Sequence, residues 1–158
     1  MERKIVLRNA TAEDVESILD VQHASAGAGA WELGDYASAL ADGGIFCLLA
    51  EDRVGERVVG FLVGRTVPGE FEILNLAVKN EYRRQGIGRR LLGEALARAH
   101  GQGARRCWLE VRASNQPARD FYRALGFAES ARRQRYYRDP EDDAVVCLRQ
   151  WVAAGPAP

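Results

Sequence analysis

The chain has 158 residues, of which 47% are hydrophobic and 28% are charged, a balance typical of one globular domain with a buried core. Its formal net charge of zero argues against a general nucleic-acid or membrane-surface binder, and no stretch reaches the roughly 18 apolar residues of a membrane span. The N-terminus lacks the apolar run of a signal peptide, so we expect a cytoplasmic protein with one domain over residues 1–152 and a flexible tail at 153–158.

The chain begins with a predicted strand and helix. The segment "KIVLR", residues 4–8, is typical of a short strand. Thr11 with Asp14 three residues later resembles a capping box, and Val15 and Ile18 start an apolar stripe at helical spacing. This part predicts a strand followed by a helix.

A glycine-rich segment separates that helix from the next elements. The segment "ASAGAGA", residues 24–30, predicts a flexible link, and residues 31–40 predict a second short helix. "IFCLLA" at 45–50 and "VVGFLVG" at 58–64 predict strands that a turn at 51–57 joins.

The second half alternates strands and helices. "EFEILNLAV", residues 70–78, is apolar on both faces and predicts a central strand. A helical stripe runs from Ile87 to Gly101, a strand follows at 106–111, and a second stripe ends at Gly126. "AVVCLRQW", residues 144–151, closes a sheet that should be antiparallel apart from the pair that the helical crossover joins. The predicted fold class is therefore α/β with a mixed sheet.

The cysteines and histidines limit redox and metal chemistry. Cys47, Cys107 and Cys147 each lie in an apolar run, their number is odd and there is no CxxC pair, so we expect reduced core residues. His23 and His100 are the only histidines, which does not support a histidine-rich metal site.

The segment "EYRRQGIGRR", residues 81–90, links the central strand to a helix. Free N–H groups at a helix N-terminus bind anions, glycines allow close approach, and arginines add charge-assisted contacts. A P-loop requires Lys-Ser/Thr after its last glycine, whereas Arg89 and Arg90 follow Gly88. A dinucleotide loop requires a small residue where Leu91 lies. A phosphate site and a glycine turn with solvated arginines both remain open on this segment alone.

The pattern Arg83-x-x-Gly86-x-Gly88 after "NLAV", with "LEVRASNQPARDFYRALGF" downstream, resembles the GCN5-related N-acetyltransferases (GNAT) over nearly the whole chain. "WLEVRASN", "FYRALGF" and "RRQRYY" are similar to the bacterial RimI-type branch, which acetylates the N-terminal alanine of a small-subunit ribosomal protein. The resemblance implies the GNAT acyl-CoA N-acyltransferase fold, a mostly antiparallel sheet with a central parallel pair and helices on both faces.

The resemblance also implies roles for individual positions. Strand backbone that binds acetyl-CoA would come from Leu76, Ala77 and Val78. The phosphate loop would comprise Arg83, Arg84, Gln85, Gly86, Ile87, Gly88 and Arg89. Asn115 would contact the cofactor, Glu110 would be the general base and Tyr122 the general acid. The acceptor would lie near Trp31, Tyr136 and Tyr137, and no metal is implied.

The residues themselves permit simpler interpretations. Glu110 shares a strand face with Trp108, which lies either toward solvent or in a cleft where burial would favour a base. Tyr122 is also consistent with core packing, Phe121 is expected in the core, and Asn115 is sufficiently explained as a helix cap.

The acceptor region departs most from the resembled pattern. The related enzymes have a proline before the tryptophan and a hydroxyl residue after it, whereas this chain has Ala30-Trp31-Glu32. The acidic turn at 141–143 is either a solvated turn or a site that attracts a basic peptide. Four nearby arginines, which fit a charge-balanced surface, are Arg132, Arg133, Arg135 and Arg138.

The predicted activity is acetyl transfer from acetyl-CoA to a protein or peptide N-terminal amine, with a ribosomal protein as a candidate acceptor. We expect a monomer or weak homodimer that binds neither nucleic acid nor membrane. The alternatives are acetylation of a lysine side chain or small-molecule amine, and a CoA-binding sensor without catalysis. A sensor would need neither Glu110 nor Tyr122.

Overall fold

The computed structural model describes residues 2–25 and 27–151, and the tail predicted at 153–158 lies outside them. The described chain forms a seven-stranded sheet in the order β1-β2-β3-β4-β5-β7-β6. The strands are β1 (Ile5–Asn9), β2 (Ile45–Asp52), β3 (Arg57–Val67), β4 (Glu70–Val78), β5 (Arg106–Arg112), β6 (Ala128–Tyr137) and β7 (Asp142–Gln150). The α-helices are α1 (Val15–His23), α2 (Leu33–Ala41), α3 (Ile87–Gly101) and α4 (Gln116–Ala124).

The sheet is antiparallel except between β4 and β5, which run parallel. The predicted mixed sheet is therefore confirmed, and the parallel pair is the one that the α3 crossover joins. This pairing covers only Glu70–Ile73 with Arg106–Leu109. Beyond it the two strands are no longer paired to each other, which opens the middle of the sheet.

Helices cover both faces of the sheet, as predicted. Alternate residues of β3 enter two different cores: Phe61 packs in the cluster that contains α1 and α2 residues, and Leu62 packs in the cluster that contains α3 and α4 residues. Leu91 and Leu92 of α3 are fully buried, and burial of such a side chain contributes about 1.5–3 kcal/mol.

The predicted capping box is present before α1. The Asp14 carboxylate accepts from the Thr11 backbone N–H at 2.7 Å, and it also pairs with Arg8 at 2.8 Å. The second helix begins at Leu33 rather than at residue 31, because Glu32 is its N-cap and donates its backbone N–H to Asp35 at 2.8 Å. The Asp35 carboxylate thus fixes the backbone where the chain enters α2.

The predictions for the cysteines are confirmed, since all three are free and buried. No helix among the described residues combines the length and apolar character needed to cross a membrane.

Candidate active site

The loop between β4 and α3 has a sharply turned backbone. Arg84 and Gly86 adopt positive φ angles of 61° and 77°, a conformation that glycine adopts at little cost and other residues do not. Gly86 is the N-cap of α3, so the unpaired N–H groups of the first helical turn follow it directly. Arg84 and Arg89 are exposed beside these groups. Partial positive charge and two guanidinium groups therefore converge at one helix end.

This helix end opens into a cleft of about 500 Å³. Its walls come from the end of β4, the loop, the start of α3 and one side of α4. Predicted cofactor residues that line it are Leu76, Ala77, Val78, Arg83, Arg84, Gly86, Ile87, Gly88, Arg89 and Asn115. Tyr122, the predicted acid, lines the same cleft, whereas Gln85 is exposed and does not line it.

The cleft also contains residues that the sequence did not identify. Phe121, expected in the core, is half-buried and lies in the cleft floor, where its ring would be 3.5 Å from a Cβ added at Gly88. The helical spacing of Ala118, Phe121 and Leu125 was visible in the sequence, but it does not indicate which side of the helix meets a ligand. Other lining residues are Gly27, Ala28, Tyr82, Pro117, Ala118, Ala124 and Leu125.

Two contacts anchor the loop between β4 and α3. The Tyr82 hydroxyl donates to Asp52 at 2.8 Å, which ties the loop to the end of β2. The pKa of Asp52 is lowered, chiefly by this hydrogen bond. Arg83 Nε donates to the Val78 carbonyl at 3.3 Å. The loop therefore has a fixed position relative to β4.

Tyr122 is buried and packs edge-on against Phe121 and Phe127, with ring centroids 5.1 and 5.6 Å away. Burial raises the pKa of its phenol above the ordinary value, so the hydroxyl stays protonated near neutral pH. Tyr122 also lines the cleft. A protonated phenol in a cleft wall can donate a hydrogen bond to a bound molecule.

Asn115 caps α4, as the sequence predicted. Its side-chain Oδ1 accepts from the Ala118 backbone N–H at 3.2 Å. The side chain also lies against the glycine-rich segment, because a Cβ added at Gly27 would be 2.8 Å from Asn115 Nδ2. Asn115 therefore joins the cleft lining to this segment as well as capping the helix.

Glu110 lies on the opposite face of the sheet from the α3 core. Its β5 neighbours Leu109 and Val111 belong to the α3 cluster, so strand alternation directs Glu110 toward the α1 and α2 side. Its side chain is only 15% exposed and pairs with Arg133 Nε at 2.9 Å. The carboxylate is therefore in a partly desolvated recess rather than on an open surface.

Two tyrosines adjoin this carboxylate. The Glu110 side chain raises the pKa of Tyr136 through a hydrogen bond and its charge. Burial, assisted by the charge of Glu110, raises the pKa of Tyr137 to about 12. Both reach the same carboxylate because β6 is irregular: residues 134–136 lie opposite a single β7 residue, and Arg135 has a φ of 53°.

A second carboxylate shares this face. Glu72 pairs across the sheet with Trp108, one strand alternation away from Glu110. Burial raises the pKa of Glu72, although Arg65 at 3.4 Å opposes this effect. Sequence reasoning did not identify Glu72, because a glutamate in an alternating strand usually faces solvent.

The side chains of the acidic turn at 141–143 bind other residues of the same chain. The Asp142 carboxylate accepts from the backbone N–H and hydroxyl of Ser114 at 3.1 and 2.6 Å. Asp143 pairs with Arg132 at 2.8 Å, and Glu141 pairs with Arg135 at 3.2 Å. Because of these ion pairs, the turn has little unbalanced negative charge with which to attract a basic peptide.

The glycine-rich segment is not an unattached link in this structure. We call residues 27–31 the strap. Its Gly29 N–H donates to Asn75 Oδ1 at 3.1 Å, and its Trp31 carbonyl accepts from Gln22 Nε2 at 2.8 Å. The Trp31 ring is half-buried against Tyr36, with centroids 5.1 Å apart. The structure therefore gives Trp31 a packing contact, and its predicted role in substrate binding stays a prediction.

The lining of the cleft fits a phosphate-bearing acyl thioester. The α3 N-terminus and arginines suit phosphates, the apolar floor at Phe121 and Leu125 suits an uncharged arm, and the Tyr122 phenol suits a leaving thiolate. The described part of the chain contains no group of three potential metal ligands of the His, Cys, Asp or Glu type.

Comparison with known proteins agrees with this geometry. Residues 13–127 match the acetyltransferase (GNAT) family. A putative ribosomal protein bS18-alanine N-acetyltransferase of Bacillus subtilis is 30% identical over 152 residues, covering 96% of this chain and 97% of that protein. The ribosomal protein bS18-alanine N-acetyltransferase of Escherichia coli K12 is 38% identical over 92 residues, covering 57% and 62%. The crystal structure of the Escherichia coli ribosomal-protein-S18-alanine N-acetyltransferase superposes with a TM-score of 0.86 at 26% identity, covering 97% of each chain.

Proposed function

The chain belongs to the acetyltransferase (GNAT) family and is an acetyl-CoA-dependent acyltransferase, and from that premise we propose that its acceptor is a protein N-terminal α-amine. We further propose that the first residue of this acceptor is alanine or another small residue. The observation that carries the proposal is the likeness to bS18-alanine N-acetyltransferases, which extends over nearly the whole chain. A ribosomal protein is thus the acceptor class to test first, and a cytoplasmic location follows from it.

The cofactor half of the proposal uses the cleft. The first N–H groups of α3 and the side chains of Arg84 and Arg89 would hold the pyrophosphate of acetyl-CoA. The end of β4 would hold the acyl arm through backbone groups of residues 76–78. The pairing of β4 with β5 ends at Ile73 and Leu109. The strand edges beyond these residues support the proposal that backbone groups of β4 bind the acyl arm.

The acceptor half uses the opposite face of the sheet. Glu110, directly or through a water molecule, would take a proton from the ammonium, since only the neutral amine attacks a thioester. Its partly desolvated recess beside Tyr136 and Tyr137 supports this role. For attack, Arg133 would yield its ion pair with Glu110 to the incoming ammonium. Glu72 is the alternative base on the same face.

The chemical step is a direct transfer. The amine nitrogen forms a bond to the thioester carbonyl carbon, and backbone N–H groups near Val78 would stabilise the developing oxyanion. The carbon–sulfur bond breaks and the electron pair leaves on sulfur, beside Tyr122. A thiol titrates at about 8.5 and a phenol at about 10, and burial raises the pKa of Tyr122 further. Tyr122 would therefore donate a hydrogen bond to the thiolate and pass it a proton, and the proton that the attacking nitrogen releases would restore the phenol.

The acid–base properties of amines support the choice of acceptor. An α-amine titrates at about 7.7–8.0 and a lysine at about 10.4. Near neutral pH the α-amine is therefore neutral hundreds of times more often, and a weak carboxylate base suffices for it.

Three peptides of one sequence test the acceptor: one with a free N-terminus and no lysine, one with a blocked N-terminus and a free lysine, and one with both free. Mass spectrometry locates the acetyl group after incubation with acetyl-CoA. We expect acetylation of the α-amine in the first and third peptides. Acetylation of lysine alone would refute the proposed acceptor, and absence of transfer to these peptides and to polyamines would favour a sensor.

A further inference from the structure

Three side chains from distant parts of the chain form a buried hydrogen-bonded network. Asn75 Nδ2 donates to the Tyr36 hydroxyl at 2.9 Å, and that hydroxyl donates to Gln22 Oε1. All three side chains belong to buried residues, which come from α1, α2 and β4. Buried polar groups require partners, and here each satisfies the next.

Both ends of this network bind the strap. Asn75 Oδ1 accepts from the Gly29 N–H at 3.1 Å, while Gln22 accepts from the Trp31 N–H at 3.3 Å and donates to the Trp31 carbonyl at 2.8 Å. The direction of each bond fixes the orientation of both amides. Burial raises the pKa of Tyr36, which keeps its hydroxyl a donor.

The strap reaches the reaction cleft from the side of α1 and α2. Gly27 and Ala28 line the cleft, and Gly27 lies against Asn115 at the start of α4. The strap therefore extends from the β4 side of the opened sheet to the α4 side. Its position depends on the network, because side chains of the network hold its backbone at Gly29 and Trp31.

The network and the proposed base share one face of the sheet. Asn75 directs its side chain toward α2, as does the neighbouring Ala77, and strand alternation places Glu110 on that same face of β5. β4 and β5 are unpaired at this level. The strap, which Asn75 holds over β4, and Glu110 of β5 therefore border the same opened part of this face, and we expect an amine to reach Glu110 there.

We propose that Gln22, Tyr36 and Asn75 are positioning residues: they hold the strap at the acceptor entrance and so determine how tightly the acceptor amine binds. They touch neither the cofactor loop nor the reacting atoms. Loss of the network should thus weaken acceptor binding and leave cofactor binding unchanged. The part that concerns the acceptor rests on the proposed acetyl transfer.

The test compares Tyr36→Phe with Ser25→Ala in the full-length protein. Tyr36→Phe keeps the ring that packs on Trp31 and Phe61 but removes the hydroxyl that joins Gln22 to Asn75. Ser25→Ala is the matched control, because it also removes a buried hydroxyl, one whose partner among the described residues is the Val21 carbonyl of the preceding helix. Gln22→Glu serves as a second variant that keeps the acceptor oxygen and loses the donor to Trp31.

Two readouts are measured: hydrogen exchange of the 27–31 amides by mass spectrometry, and steady-state constants for acetyl-CoA and for the amine that the wild type acetylates best. Tyr36→Phe removes two hydrogen bonds of the network and Gln22→Glu removes one. For both variants we expect strap exchange to be on the order of tenfold faster and the acceptor KM on the order of tenfold higher. The KM for acetyl-CoA should stay within twofold, and Ser25→Ala should change neither readout.

Unchanged strap exchange in Tyr36→Phe and Gln22→Glu would overturn the inference, and so would faster exchange with an unchanged acceptor KM. If the wild type prefers lysine or a polyamine, the proposed acceptor fails, but the KM for that amine still decides the role of the network. If no amine is acetylated, both the proposed function and the acceptor role of the network are refuted.

Discussion

A substitution at Gly88 is the sharpest test of the proposal that the loop between β4 and α3 binds phosphate. Gly88 lies in the first turn of α3, and a Cβ added there would be 3.5 Å from the Phe121 ring and 3.8 Å from Val78. Both are ordinary van der Waals distances, so the protein itself accommodates an alanine. Valine adds two methyl groups that would extend over the cleft floor, where phosphate oxygens are proposed to approach the helix N-terminus.

The expected loss follows from the contacts that valine would block. A hydrogen bond to a charged group contributes about 1.5–3 kcal/mol, and about 1.4 kcal/mol changes an equilibrium constant tenfold. If valine weakens one or two phosphate contacts, the binding free energy falls by about 2–3 kcal/mol in all. This loss raises the Kd for acetyl-CoA on the order of 100-fold. Because valine has a helix propensity no worse than that of glycine, we expect the stability of the fold to be maintained.

Isothermal titration with acetyl-CoA, together with thermal unfolding, measures both quantities for wild type, Gly88→Ala and Gly88→Val. Alanine should bind within a few-fold of wild type, and valine about a hundredfold more weakly at a similar Tm. A folded Gly88→Val protein with wild-type affinity would refute the loop assignment. Gly86→Val should also weaken binding, but it is a poorer probe because its φ of 77° strains any side chain.

Four further substitutions test the catalytic roles and the α1 cap. Glu110→Gln should retain cofactor binding and lose a hundredfold or more in turnover, with a smaller loss at high pH where the amine deprotonates unaided; a larger loss in Glu72→Gln would instead identify Glu72 as the base. Tyr122→Phe should bind acetyl-CoA normally and turn over about a hundredfold more slowly, whereas a normal rate would leave it a core residue. The pKa of Asp14 is lowered, chiefly by Arg8, so its carboxylate stabilises the fold above the ordinary carboxyl pKa and loses this effect as pH falls through the lowered value. Asp14→Asn should therefore be less stable at pH 7, on the order of 2 kcal/mol, and its free energy of unfolding should decline less on acidification; parallel urea-unfolding profiles would contradict this.

Much of the fold was predictable because the signals are local. Alternating apolar residues predicted strands, apolar stripes at helical spacing predicted helices, and glycines predicted where helices end. The α3 crossover required one parallel pair of strands. The irregular stretch at 134–136 was not predictable, because the register of β6 depends on its pairing with β7. That irregularity is what brings Tyr136 and Tyr137 to the same carboxylate.

The candidate site likewise has parts that could be predicted from the sequence and parts that could not. The proposed phosphate loop could be recognised from the sequence because Gly86, Gly88 and the arginines are adjacent in the chain. The network of Gln22, Tyr36 and Asn75 could not, since its members lie on three separate elements. One signal was present: an asparagine within the apolar strand "EFEILNLAV" must find partners once the strand is buried.

The environment of the cysteines supports direct transfer over an acyl-enzyme route. Burial raises the pKa of both Cys47 and Cys107 to about 12 and also raises that of Cys147. A thiol acts as a nucleophile only as its thiolate, so these groups remain inert near neutral pH. With the cleft on the α3 face and Glu110 on the other, the acyl donor and the amine can occupy the opened sheet together from opposite sides. In the proposed mechanism a covalent relay through the protein is unnecessary, because the two substrates would meet at the unpaired ends of β4 and β5.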